Sequence, residues 1–116
     1  MRLPKKVPAR FFVTDRGEEP VRTWLKKLDP DDRKTIGKDI QKVEFGWPVG
    51  LPVCQYLGDG LWEVRSDISD GRIARVVFAF AEGTMVLLHG FVKKTRKTSS
   101  QDRELALNRL RAVSKK

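Results

Sequence analysis

The spacing of apolar residues changes period several times along the chain. Between Leu61 and Val92, apolar and polar residues alternate in three runs separated by Asp70-Gly71 and Glu82-Gly83. Asp-Gly between alternating runs is a hairpin cue, because a type I′ turn needs positive φ at both central positions; Gly83 supplies a permissive position at the weaker second turn. The pattern predicts an antiparallel meander over 61–68, 72–80 and 84–92. It runs directly into a basic cluster, Lys93, Lys94, Arg96 and Lys97.

Upstream, Ala9 to Thr14 carries two phenylalanines and a valine and is expected to add a fourth strand. The period then lengthens. Val21, Trp24, Leu25 and Leu28 stand at i, i+3, i+4 and i+7, one face of a helix over 20–28, with Pro20 suited to its first position. Asp29 is placed to cap a second helix that begins at Pro30 and carries Ile36, Ile40 and Val43 to about Phe45, with Trp47 continuing the stripe. Gly46, Pro48 and Gly50 end it. The two helices predict a helical hairpin lying on the sheet. Leu51 to Gly60 reads as a connector with extended character around 53–57. After the meander, Thr98-Ser99-Ser100 offers capping hydroxyls, and Ala106, Leu107, Leu110 and Val113 give a last helical stripe. The order β-α-α-β-β-β-α predicts an α+β fold, its helices gathered on one face of a small antiparallel sheet. One domain over 1–116 is expected, with 1–8 a flexible basic arm.

Composition narrows the function. No apolar run approaches the ~18 residues of a membrane span, and Met1 to Pro8 lacks the apolar core of a secretory signal. The single cysteine, Cys54, cannot form an intrachain disulfide and reads as a small, semi-buried hydrophobe in a reducing, cytoplasmic protein. Net charge is +9 and is uneven: after His89, nine basic residues face only Asp102 and Glu104, so this end carries +7. Such a one-sided field steers toward polyanions.

Strand periodicity sorts the side chains. It is expected to bury Trp62, Val64, Val76, Phe78, Leu88 and Val92 under the helices, leaving Glu63, Arg65, Arg75, His89, Phe91 and Lys93 on an open face. Two arginines and a lysine suit phosphate; Phe91 offers a surface for a base to stack on; His89 and Glu63 are the groups able to move a proton near neutral pH. A metal-independent ribonuclease needs that inventory, although Arg65 could equally pair with Glu63 or Asp67, and the sole histidine could be structural. There is no Gly-rich phosphate loop and no nucleophile elbow, and with one His and one Cys a zinc site is not expected. Asp29, Asp31 and Asp32 are explained by a helix start. No metal or cofactor is expected.

The segments LGDGLWEVRSD, IARVVFAF and VLLHGFVKKTRKT resemble the phage-derived branch of the RelE/HigB toxins of bacterial type II toxin–antitoxin systems, over about Leu57 to Val113. The resemblance implies a small α+β toxin that cleaves mRNA in the ribosomal A site without a metal, inhibits translation, and is silenced by a cognate antitoxin, often a DNA-binding helix-turn-helix protein. A 1:1 pair or a doubled heterotetramer is then expected. By position, Arg65 and Arg75 match the sheet arginines of the pattern, Lys93 and Lys94 the basic pair after the last strand, and Phe91 the aromatic before it. Arg65 and Arg75 are expected to hold the scissile phosphate, Lys93 or Lys94 to stabilise its charge and act as acid, Glu63 or His89 to act as base. Phe91, Arg96 and Lys97 are expected to bind RNA.

Two other readings stay open on the residues alone. One is a non-catalytic toxin that inhibits a protein such as DNA gyrase, as the related ParE proteins do, through the helical hairpin of Val21 to Phe45. The other is a basic accessory module that binds RNA without altering it.

Overall fold

The elements run β1 (Ala9–Phe11), α1 (Pro20–Lys26), α2 (Pro30–Gly46), β2 (Cys54–Gly58), β3 (Leu61–Asp67), β4 (Ile73–Ala81), β5 (Thr84–Lys93) and α3 (Ser100–Ser114) in a computed structural model that describes residues 4–93 and 98–114. The fold is α+β. Its five-stranded sheet has the order β1-β5-β4-β3-β2. The predicted meander is present as β3, β4 and β5. The sheet is mixed rather than purely antiparallel, because β1 runs parallel to β5, with Arg10 beside Val86. The connector's extended stretch pairs with β3 as a full strand, β2.

The turns explain the meander's register. Ala81 pairs with Thr84, so Glu82 (φ 51°) and Gly83 (φ 76°) make a two-residue turn with both central φ values positive. That is the geometry a type I′ hairpin needs. Asp70 (φ 61°) and Gly71 (φ 69°) also have positive φ, but inside a longer loop between the paired Asp67 and Ile73. Asp32 staples that loop to α2, accepting bonds from the Ser69 N–H (3.0 Å), the Ser69 hydroxyl (2.8 Å) and Arg72 (3.0 Å). Asp29 occupies the position before α2, as expected, without a side-chain capping bond.

The helices do not gather on one face. α1 rests on β5 and α2 on β3, whereas α3 covers β4 and β5 from the opposite side. The sheet therefore divides two apolar layers. Under α1 and α2 lie Ile36, Ile40, Val43, Cys54, Val64, Val76 and Phe78, edged by Trp24, Trp47, Trp62 and Phe80. Under α3 lie Leu61, Val77, Ala79, Val86, Leu88, Phe91 and Ala106. Strands buried on both faces need apolar residues at consecutive positions, which is why β4 reads Val76-Val77-Phe78-Ala79.

Leu88 is thus on the other side from the one its alternation suggests. Val77 pairs with His89 and Phe78 with Leu87, leaving Leu88 as the extra residue of a β-bulge. One added residue reverses the phase of a period-two strand. Before the bulge Met85 and Leu87 face α1 and α2; beyond it His89 and Phe91 face the α3 side. Gly90 faces α1, where the Trp24 indole lies directly on its backbone.

The expected basic arm is tied down along its described part. The Lys6 and Val7 N–H groups donate to the Glu44 carbonyl, and the buried Glu44 carboxylate accepts from the Ala9 N–H at 2.8 Å and pairs with Lys5 at 3.0 Å. No described helix is long and apolar enough to cross a membrane.

Candidate functional site: a charged cluster between the sheet and the start of α3

Register brings the predicted residues together at one end of the sheet, on the face that α3 only partly covers. Arg65 on β3 is paired with Arg75 on β4, and Arg75 with Phe91 on β5; one step on, Ile73 is paired with Lys93. Glu63 lies across from Val77, which is in turn across from His89. Thr98, Ser99 and Asp102, from the start of α3, close over this end. Lys94, Arg96 and Lys97 lie outside the described residues.

The cluster holds two carboxylates, each shared among cations and a hydroxyl. Glu63 is fully buried and accepts from Arg75 Nη1 at 3.3 Å and from the Thr98 hydroxyl at 2.7 Å; Arg65 Nε stands 4.0 Å away. Arg75, only 1% exposed, also donates to Thr98 Oγ1 at 3.1 Å. Burial draws the Arg75 guanidinium below its ordinary value, and the Glu63 charge opposes that shift. The second carboxylate, Asp102, meets His89 Nε2 at 2.7 Å through one oxygen. Through the other it meets Lys93 Nζ at 2.7 Å and the Ser99 hydroxyl at 2.6 Å. Partial burial raises its affinity for a proton, but hydrogen bonds from Lys93, Ser99 and His89 outweigh that and hold its pKa at about 2. Asp102 is therefore anionic at neutral pH.

The predicted residues divide by access. Arg65 and Lys93 keep side-chain exposures of 21% and 29% and can reach a phosphate. His89 keeps 14%. Glu63 and Arg75 are sealed, so Glu63 acts here as an internal counter-ion rather than as a group in reach of RNA. Phe91 does not offer the free stacking surface expected of it. It is 8% exposed, with the His89 ring stacked on it at 5.3 Å and the Lys93 ammonium 5.1 Å from its centroid. The aromatic ring props the histidine and the lysine at the surface.

Three participants escaped the sequence reading: Thr98, Ser99 and Asp102. Their hydroxyls and carboxylate do begin a helix, as the Asp102 N–H to Ser99 Oγ bond (3.1 Å) and the Arg103 N–H to Ser99 carbonyl bond (3.0 Å) show. The same side chains also reach back across the sheet, and no local pattern announces a contact between Thr98 and Glu63. Cys54 is fully buried rather than semi-buried, and burial first, with the nearby Glu63 charge second, pushes its thiol up to about 11.

Among the described residues no three His, Cys, Asp or Glu side chains come together in a way that could hold a metal ion. No curated protein matches the chain. One family model does, over residues 23–111, a span that takes in every site residue named above. On that match the chain belongs to the family described as Phage derived protein Gp49-like (DUF891), a toxin-like family often found in toxin–antitoxin systems.

Proposed function

We propose that this chain is the toxin of a type II toxin–antitoxin pair, related to the RelE/HigB toxins, and that it cleaves mRNA, in the setting of the ribosome, by attack of a ribose 2′-hydroxyl on the neighbouring phosphate. The observation that carries the reading is the meeting of Arg65, Lys93 and His89 at one end of the sheet, each partly exposed, over the buried Arg75–Glu63 pair. Guanidinium and ammonium groups fixed around a phosphate stabilise the charge that grows on its non-bridging oxygens.

The chemistry needs one proton taken and one given. His89 takes the proton of the 2′-hydroxyl. The 2′-oxygen bonds to phosphorus, the bond from phosphorus to the 5′-oxygen breaks, and its electron pair leaves with that oxygen. The leaving oxygen takes a proton from the Lys93 ammonium, which solvent restores. The products are a 2′,3′-cyclic phosphate and a 5′-hydroxyl end. Arg65 binds the phosphate, and Arg75 supports the field from beneath. Such a toxin must be held inactive by an antitoxin, and acidic groups on that partner would complement the basic end of the sheet.

The test is to add the purified protein to translating ribosomes and map new mRNA ends. Codon-phased cuts with cyclic-phosphate ends are expected, falling at least tenfold in Arg65→Ala with the circular dichroism spectrum unchanged. Intact mRNA in this assay, with growth still arrested in cells that express the chain, would overturn the reading, and inhibited gyrase supercoiling in those cells would replace it with the protein-target reading.

A further inference from the structure

We infer that Asp102, at the start of α3, is the positioning residue for His89: it fixes which ring nitrogen carries the proton and aims the other at the substrate. The inference rests on the ribonuclease reading for its consequence, but not for its geometry.

The argument starts from the carboxylate. Asp102 Oδ1 lies 2.7 Å from His89 Nε2. An anionic carboxylate only accepts hydrogen bonds, so the ring must present an N–H there. A neutral imidazole with its hydrogen on Nε2 carries its lone pair on Nδ1, the form a general base needs. Among the described residues Nδ1 has no hydrogen-bond partner. Ring rotation is limited independently, because Phe91 stacks on the imidazole with 29° between the planes.

The carboxylate is itself held. Its second oxygen accepts from Lys93 Nζ at 2.7 Å and from the Ser99 hydroxyl at 2.6 Å, and its own backbone N–H donates to Ser99 Oγ. Asp102 therefore links the proposed base and the proposed acid through its two oxygens. When His89 gains a proton, the positive charge forms beside an anion already in place, which stabilises it without rearrangement. The arrangement draws on two distant parts of the chain: β5 supplies His89 and Lys93, and α3 supplies their anchor.

The chain holds a single histidine, so ring-nitrogen NMR on protein with 15N-labelled histidine reads His89 without assignment. With the ring neutral, wild type is expected to show the hydrogen on Nε2. Asp102→Asn can instead donate its amide N–H to Nε2, which moves the hydrogen to Nδ1. In the ribosome cleavage assay the same variant is expected to lose about 10- to 100-fold in kcat with KM unchanged, and to lose the acidic limb of the pH–rate profile, the limb that a general base sets. Arg103→Ala is the control for a merely structural role. Arg103 ties α3 to the β2–β3 turn through the Leu57 carbonyl and Asp59, away from His89. It is expected to lower stability while leaving tautomer and kcat within threefold.

A wild-type tautomer with the hydrogen on Nδ1 overturns the inference. So does full kcat in Asp102→Asn, or an equal loss in Arg103→Ala. If wild type cuts no RNA, the nuclease reading fails, and the NMR comparison still decides whether Asp102 sets the tautomer.

Discussion

Glu63 shows how one sealed side chain can hold a charged cluster together from beneath. It is fully buried, and its partners Arg75 and Thr98 come from a neighbouring strand and from the start of α3. A buried ion pair contributes little net stability over an apolar pair, but removing one partner leaves the other charge stranded. Glu63→Gln is expected to destabilise the fold by about 3 kcal/mol, read as a shift in the urea midpoint, and to do so more than any exposed acidic substitution. Asp102 carries a second prediction at this scale. Its pKa is about 2 when folded, below its ordinary 3.8, so its contribution to stability is complete above pH 4 and is lost as pH falls toward 2. Urea midpoints measured from pH 5 to pH 2 should fall less steeply in Asp102→Asn than in wild type. Residue types alone suggested an arginine–lysine–histidine face. They did not suggest that two of its members, Glu63 and Arg75, would be sealed. Burial depends on α3 folding across that face, and the contact joins Thr98 to residues 35 and 23 positions away.

Elements were readable wherever period and turn chemistry agreed. α2, the three meander strands and α3 form close to where apolar spacing puts them, because each has a stripe or alternation bounded by glycine, proline or capping residues. β2 was under-read, although Asp59-Gly60 carries the hairpin signal; both have positive φ and join the paired Gly58 and Leu61. β5 was misphased up to its bulge, at Leu88, while His89, Phe91 and Val92 beyond it lie as expected, since an extra residue leaves no mark in composition. That bulge has a visible consequence at Gly90, which meets the face of Trp24. A methyl group added there overlaps the indole, and the ring is held between α1 and the sheet. Gly90→Ala should cost about 1–3 kcal/mol, the range for overpacking a closed interior. Trp24→Leu in the same background should recover part of it by opening space. Equal stability of Gly90→Ala and wild type in urea unfolding would show that the indole moves freely, and with it that α1 is loosely docked.

At the scale of the whole molecule, charge and fold point the same way. The net +9 was legible at once, and so was its concentration after His89. What charge counting could not show is how much of it is already answered inside the protein. Glu63 and Asp102 between them engage Arg75, Arg65, Lys93 and His89, so the cluster is much nearer neutral than its basic residues suggest. On the proposed ribonuclease reading, long-range attraction of RNA falls to residues without such partners, while the cluster supplies local fit. The two contributions separate experimentally. Each phosphate contact made by a cation on single-stranded nucleic acid adds about 0.7 to the slope of log K against log salt. Binding of a short single-stranded RNA should weaken steeply between 50 and 200 mM salt, on the order of tenfold or more. Arg65→Ala should lower the slope by about 0.7, because its partly exposed guanidinium can reach a phosphate from beside Glu63. Glu63→Gln should leave the slope unchanged, since it alters a buried charge that no counter-ion of the RNA exchanges with. Salt titrations of fluorescence anisotropy on the two variants would decide it: a slope lowered in both, or in neither, would mean that the exposed and buried members of the cluster do not have the separate roles assigned to them.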